Sequence, residues 1–460
     1  MRNAARIGML FAVVLAALPA GAQVREVSLD EAVRLGLQHS PELAMGAPDI
    51  AKAEEERLSA GLALGPRLSL DAGVQFWDKA TLVKLIDAGA ISLTPDQIAA
   101  ISGLLGDGFV GLLQNLGSPM ETQKQVTSTV QLQAVQPITP LYSLASLYRM
   151  QGAALEASRL DQEARQQQVK FRIADTFFKL MSTLELTEVT QKAVEQVEAH
   201  LKTARSFNEA GLVGRDDVLR AETMLAKVAD QHNMTMAGVA LARAGLSVQM
   251  GISASTMLVP KGDYPDPPPE PSLTEERAIE RALADRSEVG SVEQRGRMAD
   301  AGYQAAIGSL IPTIAGIFRY THFTGSTFQR EDSYFIGAQL SWNFWDLGRD
   351  ILRLRSVGHD REKAQAALVG IRDQVLLDVK KCWLDLRTAR SSLDFNRMAI
   401  ASAEENLRVV TRKYEASTAT SVEVLDAQSA LTQARAGHAV ALYGYYISYA
   451  NLQRSTAGAF

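Results

Sequence analysis

Few residues in this chain of 460 have the type and spacing to do chemistry. The clearest pair is acidic. Glu423 and Asp426 stand three apart, so on a helix they share one face. Alone, two such acids are ordinarily a solvated surface. Several copies at one level would form a carboxylate ring, which attracts cations and repels anions. The six histidines are scattered. His232 and His438 occupy equivalent places in two long apolar patterns, but neither has a partner ligand at i+4, so packing rather than metal binding is expected. Cys382, the single cysteine, falls on an apolar seam and is expected to pack as a small apolar residue. One cysteine excludes an intrachain disulfide and a multi-cysteine metal site. No phosphate loop, H-E-x-x-H or G-x-S-x-G motif is present, so no enzyme activity, cofactor or metal is expected.

The composition is that of a folded protein, 47% hydrophobic and 22% charged, with 47 basic against 52 acidic residues and a net charge of −5. A mildly acidic chain without basic runs argues against a nucleic-acid partner. Arg2 and Arg6, an apolar run from Ile7 to Leu18, and Ala20-Gly21-Ala22 form the pattern of a secretory signal peptide over residues 1–22. No later run reaches the eighteen or so apolar residues of a transmembrane helix, so a membrane crossing would have to use β-strands closed into a barrel.

The residues after the signal read as two copies of one plan. An offset of 246 joins Ala32 to Ala278, Leu37 to Leu283, Glu42 to Glu288 and Pro66 to Pro312. Later an offset of 206 joins Glu209 to Glu415, Val218 to Val424, Leu225 to Leu431 and His232 to His438. The first copy therefore carries about forty extra residues, placed at 78–122, with short helices expected around 95–105 and 109–116. The expected division is a first repeat at 23–258, a stiff linker at 259–271 holding six of the fifteen prolines, and a second repeat at 272–460. Each copy reads as a short helix, a strand pair and two very long helices. The short helix starts at Ser28, an N-cap with Glu31 three residues on, and its mate is expected at Ser272 with Glu275.

The strand pairs alternate between apolar and polar faces. Leu68, Leu70, Ala72, Val74 and Phe76 oppose Ser69, Asp71, Gly73 and Gln75; Val126, Val130, Leu132 and Ala134 oppose Thr127, Thr129, Gln131 and Gln133, with Ser128 off-pattern. Tyr334, Ile336, Ala338, Leu340, Trp342 and Phe344 form a third apolar face, and 313–323 is less regular. Such alternation over nine to eleven residues suits a transmembrane β-strand, and equally a soluble sheet with one wet face. Four strands cannot close a bilayer-spanning barrel, whereas three chains would supply twelve.

The helices carry heptads. From Val375 the spacing runs through Val379, Cys382, Leu386, Ala389, Leu393, Asn396, Ile400, Ala403, Leu407, Val410 and Tyr414. The return helices run from Val218 to Leu246 and from Val424 to Leu452. A sustained heptad means left-handed coiled-coil packing. One helix over 347–414 would be about 100 Å long. The seams are rich in Ala, Ser and Thr, which bury little area each, so such helices need neighbours on both sides.

Gly211-Leu212-Val213 with Asp217-Val218-Leu219, its mate from Tyr414 to Ala427, and the strand exit Trp345-Asp346-Leu347-Gly348 make the chain similar to the TolC-type outer membrane efflux proteins. The resemblance covers residues 27–457. It implies an α+β membrane protein: a homotrimer whose twelve-stranded β-barrel, four strands per chain, continues into a long periplasmic α-helical coiled-coil barrel. It also implies a passive outer-membrane duct for efflux or type I secretion, working with a periplasmic adaptor and an inner-membrane pump of RND or ABC type. By the same resemblance, Glu423 and Asp426 ring the periplasmic mouth. Asp217 and Tyr414, near the two turns, are candidates to tie the hairpins together. The turns Gly211, Leu212, Val213 and Ser417, Thr418, Ala419 are the expected adaptor contacts. Ser417 stands where the family has glycine, and Ala419 where some members carry a basic residue. A periplasmic coiled-coil scaffold without a pore is the competing reading.

Overall fold

Apolar residues at period two and period 3.6 dictate strands and helices respectively, and the computed structural model contains both. It describes residues 24–83, 93–106, 108–109 and 119–458, apart from 267, 269, 328 and 347. The expected signal peptide lies outside the described residues. In chain order the elements are β1 (Val24–Val27), α1 (Leu29–His39), α2 (Pro41–Ala44), α3 (Gly46–Leu62), β2 (Arg67–Phe76), β3 (Thr81–Val83), α4 (Pro95–Leu105), β4 (Met120–Pro137), α5 (Leu141–Glu209), α6 (Arg215–Gln249), β5 (Met257–Pro260), α7 (Glu275–Asp285), α8 (Ser287–Gly308), β6 (Thr313–Ser326), β7 (Asp332–Ser341), α9 (Arg349–Glu415) and α10 (Ser421–Ser455).

Contacts divide the chain into two units that cut across the sequence order. One holds residues 1–53, 153–296 and 362–460; the other holds 54–152 and 297–361. The second contains the sheet. Its strands run β2–β4–β6–β7, every neighbour antiparallel, and β3 pairs with β4 beyond the end of β2. The register aligns the two faces across all four strands. Leu70, Leu132, Tyr320 and Tyr334 form one row, and Leu68, Ala134, Phe318 and Ile336 the next. The opposite face presents Asp71, Gln131, Thr321 and Ser333. The irregularity of 313–323 is thereby explained: Ile317 and Phe323 are apolar residues on the polar face. Ser128, off-pattern on the apolar face, meets Thr324 hydroxyl to hydroxyl at 2.6 Å. The ladder ends at Ser341, so Trp342 and Phe344 lie past the strand rather than on its face. The helix expected at 95–105 is α4, while 110–118 lies outside the described residues.

The first unit is helical. Ser28 caps α1, its hydroxyl accepting from the Glu31 amide at 3.2 Å. The mate of Ser28 is Thr274, not Ser272: α7 starts at Glu275 behind Thr274, the residue the 246 offset points to. Two helices, α3 and α8, precede the strands and have no counterpart in the expected plan; both are rich in small residues and lack a clean apolar stripe. Proline at position 41 forces extended backbone on Ser40 and separates α1 from α2. β5 lies at the head of the proline-rich stretch and pairs in parallel with β1. Beyond it, the Pro265 carbonyl accepts from the Tyr446 hydroxyl at 2.8 Å, and Asp266 pairs with His438 at 3.1 Å.

The long helices are continuous, 69 residues in α5 and 67 in α9. On α9 the expected seam residues Val375, Val379, Cys382, Leu386, Leu393 and Tyr414 are all buried. Asn396, the polar exception, packs where Gly437 leaves room: a Cβ on Gly437 would sit 2.3 Å from Asn396 Oδ1. An ion group around the buried Arg286 ties the junction of α7 and α8 to α9 and α10. Asp378 accepts from Arg286 at 2.8 Å and from Arg454 at 3.0 Å, and Arg286 also grips Glu288. Burial pushes the Asp378 carboxyl up, but Arg454 and Arg286 outweigh it and hold it below the usual range.

Candidate functional site: the hairpin tips

The sequence-derived site residues fall at the ends of two helical hairpins, α5–α6 and α9–α10, both within the helical unit. Each long helix stops the same way. Gly211 (φ +73°) and Ser417 (φ +57°) adopt the left-handed conformation that ends a helix. In the first turn the Leu212 amide donates to the Phe207 carbonyl and the Gly211 amide to Asn208. In the second the Thr418 amide donates to Lys413 and the Ser417 amide to Tyr414. These are the paired long and short bonds of a Schellman motif, and they satisfy carbonyls the helix leaves open. Glycine takes that conformation freely, whereas serine in it is strained by about 1 kcal/mol.

The return helices start differently. α6 follows Gly214, which offers no side-chain cap, and relies on Asp216 and Asp217 in its first turn. α10 follows Thr420 in a full capping box. The Thr420 hydroxyl accepts from the Glu423 amide at 3.4 Å, and the Glu423 carboxylate accepts from the Thr420 amide at 3.3 Å. Glu423 is thus exposed and also engaged in holding the turn. Asp426 is exposed and makes no hydrogen bond or ion pair among the described residues. Leu212 is 62% exposed at the first turn, and Thr418 Oγ1 donates to the Lys413 carbonyl across the second. Val213 is half-buried, its carbonyl accepting from the Asn208 amide nitrogen at 2.9 Å; Ala419 is half-buried too.

Between the hairpins lies a small buried cluster. Tyr414 is 4% exposed and stacks on Phe207, with ring centres 5.6 Å apart. Its ring also lies 5.1 Å from that of His200. His200 and Ser421 are both buried, and His200 Nε2 meets Ser421 Oγ at 2.8 Å, a direct bond from α5 to α10. Asp217 is half-buried and acts on this cluster through space. Burial lowers the His200 pKa, and the Asp217 carboxylate partly opposes that. Burial raises the Tyr414 pKa and Asp217 adds to it, while nearby Ser421 pulls the other way; the hydroxyl itself reaches no partner at hydrogen-bond geometry. No direct hydrogen bond joins Asp217 to Tyr414 among the described residues. The hairpins are joined instead by His200 and Ser421, which the sequence does not single out, and by Gln428 Nε2 donating to the Gln196 carbonyl at 3.4 Å. The signal was available: Ala193, Val197, His200 and Ala204 follow the 4,3,4 spacing of a seam, and His200 is its polar member. Such polar seam positions specify register. His232 likewise packs on the seam, meeting Thr190 Oγ1 at 3.1 Å.

Residues 278–458 match the family model of the outer membrane efflux protein. The outer membrane efflux protein BepC of Brucella suis is 23% identical over 320 residues, covering 68% of this chain and 69% of that one. Among solved structures, the outer membrane protein VceC of Vibrio cholerae aligns with a TM-score of 0.75 at 17% identity, over 94% of this chain and 96% of its own. The CmeC outer membrane channel of Campylobacter jejuni aligns at 0.73 and 16% identity, over 94% of this chain and 86% of its own. At these identities the solved structures establish a shared fold.

Proposed function

We propose, from the premise that residues 278–458 belong to the outer membrane efflux protein family, that this chain is one third of an outer-membrane duct. The observation that carries the reading is the sheet. One face is apolar and exposed, as at Leu70, Phe76, Ile336 and Leu340, while the other is polar. Its edge strands, β2 and β7, have no partner on their outer sides among the described residues. Unpaired backbone cannot face lipid. The four strands alternate in direction, so β7 of one copy would meet β2 of the next antiparallel, and three copies would close a twelve-stranded barrel. No helix among the described residues is long and apolar enough to cross a membrane.

In the helical unit α6 offers a second seam. Met234, Leu241 and Val248, seven apart, are exposed in the single chain and would be covered by a neighbouring copy. The Glu423 and Asp426 carboxylates of three chains ring the mouth and favour cations. The turns at Gly211, Leu212 and Val213 and at Ser417, Thr418 and Ala419 receive a periplasmic adaptor, and an inner-membrane pump supplies the energy. The duct conducts passively, and the family consists of efflux channels rather than enzymes. The two repeats at 23–258 and 272–460 and the insertion at 78–122 are part of this proposal. Extraction tests it: the chain stays with membranes in high salt and leaves them only in detergent. Release by salt alone would favour the pore-free scaffold.

A further inference from the structure

The polar face of the sheet holds an arginine without an anionic partner among the described residues. Ser69 pairs across strands with Gln133, Gln133 with Arg319, and Arg319 with Phe335. Cross-strand neighbours on one face stand about 5 Å apart, so Gln133 and Phe335 flank Arg319 directly on either side, while Ser69 lies one strand farther out. The Gln133 carbonyl oxygen is occupied, accepting from Gln131 Nε2 at 3.2 Å, which leaves its amide hydrogens for another partner. The Arg319 Nε is fully covered yet has no hydrogen-bond partner, and Arg319 makes no ion pair among the described residues. The nearest acid on the face is Asp71, one row on and two strands across. A half-buried guanidinium with a covered, unpaired donor calls for an anion. Beside it the surface turns apolar. Phe335 and Ile317 flank Arg319, and the Phe335 ring lies over Gly337, where an added Cβ would sit 2.8 Å from it.

We infer that Arg319 and Gln133, with Phe335, form an anion site on the inner wall of the barrel that takes organic anions carrying a flat apolar group. The inference rests on the duct reading, which makes this face luminal. Arg319 supplies the charge and a forked donor. Gln133 adds a neutral donor, and Phe335 packs on the apolar part of the ligand. Three copies place three such sites around the inner wall of the barrel.

The test is titration calorimetry of the full-length protein in lipid nanodiscs with 1-naphthalenesulfonate, heats from empty nanodiscs being subtracted. The inference predicts one saturable site per chain. Arg319→Gln weakens binding at least tenfold, Arg319→Lys falls between Arg319→Gln and the parent, and Phe335→Ala weakens the naphthalenesulfonate while leaving inorganic sulfate unchanged. Neutral 1-naphthalenemethanol gives no heat that depends on Arg319. Equal binding by the parent and Arg319→Gln, or no saturable binding by the parent, overturns the site. A protein that never enters nanodiscs as an oligomer overturns the duct reading itself, and the two failures are therefore told apart.

Discussion

The two return helices carry the same apolar spacing in sequence and meet different surroundings in the chain. On α10 the pattern residues Val424, Ala427, Leu431, Ala434, Ala441, Tyr445 and Leu452 are buried. On α6 only Ala221, Val239 and Leu246 of the matching pattern are buried, and Met234, Leu241 and Val248 make an exposed stripe. Small-residue seams bury little area per contact, so a helix with one covered side is incomplete. The comparison teaches that α10 completes its packing within the chain, whereas α6 keeps the exposed stripe that the proposed duct would cover with a neighbouring copy. The tips differ in parallel: the first turn is relaxed by Gly211 but has no side-chain cap, and the second is capped by Thr420 but strained at Ser417.

The largest expected effect breaks the α6 side of that comparison. Leu241→Asp, at a position 76% exposed in one chain, would bury an unpaired charge in the assembled protein. The oligomer should be lost on native electrophoresis while the helical content by circular dichroism is kept; an intact oligomer would remove the role given to α6. Next comes the contact between the hairpins. Tyr414→Ala deletes a buried ring stacked on Phe207, at a cost of about 3 kcal/mol. Amide exchange should accelerate around 200–217 and 414–425 and stay unchanged in the sheet.

The His200 to Ser421 bond gives the tips a pH dependence. Burial keeps the folded-state pKa of His200 below its unfolded value of 6.5, so the folded state binds fewer protons there. The tie is at full strength above that value and weakens as pH falls from it towards the lowered folded-state pKa. Exchange at the tips should therefore rise on mild acidification, and His200→Gln should flatten the profile. An unchanged profile in that variant would assign the effect to another group.

The smallest effects sharpen the difference between the turns. Thr420→Ala should cost about 1 kcal/mol through the lost capping box. Ser417→Gly should gain up to about 1 kcal/mol by relieving left-handed serine, and Gly211→Ser should lose a similar amount. Thermal melts of the three variants should rank in that order of sign.

The alternating strands are legible in the sequence because Leu68 to Phe76 and Tyr334 to Leu340 each keep one face apolar, and the α9 seam is legible because the heptad runs unbroken from Val375 to Leu393. The sequence did not reveal α3 and α8, whose small residues follow no clear stripe. The start of α7 was displaced by two residues because Ser272 looks as good a cap as Thr274; only the position in the fold separates them. At the tips, the turn residues were readable from Gly211 and its mate Ser417. The bond between hairpins was not, because His200 and Ser421 are 221 residues apart and a histidine on a seam is ordinarily packing. Arg319 escaped notice because its strand is the least regular of the four, and the polar face appears only once the register is known.

The account turns on three identical chains closing one barrel through β2 and β7. Native mass spectrometry of the protein extracted in detergent tests this most directly. The account predicts a mass of three chains that is held only while the detergent shell is retained. A monomer that stays soluble and monodisperse in detergent-free buffer would contradict it.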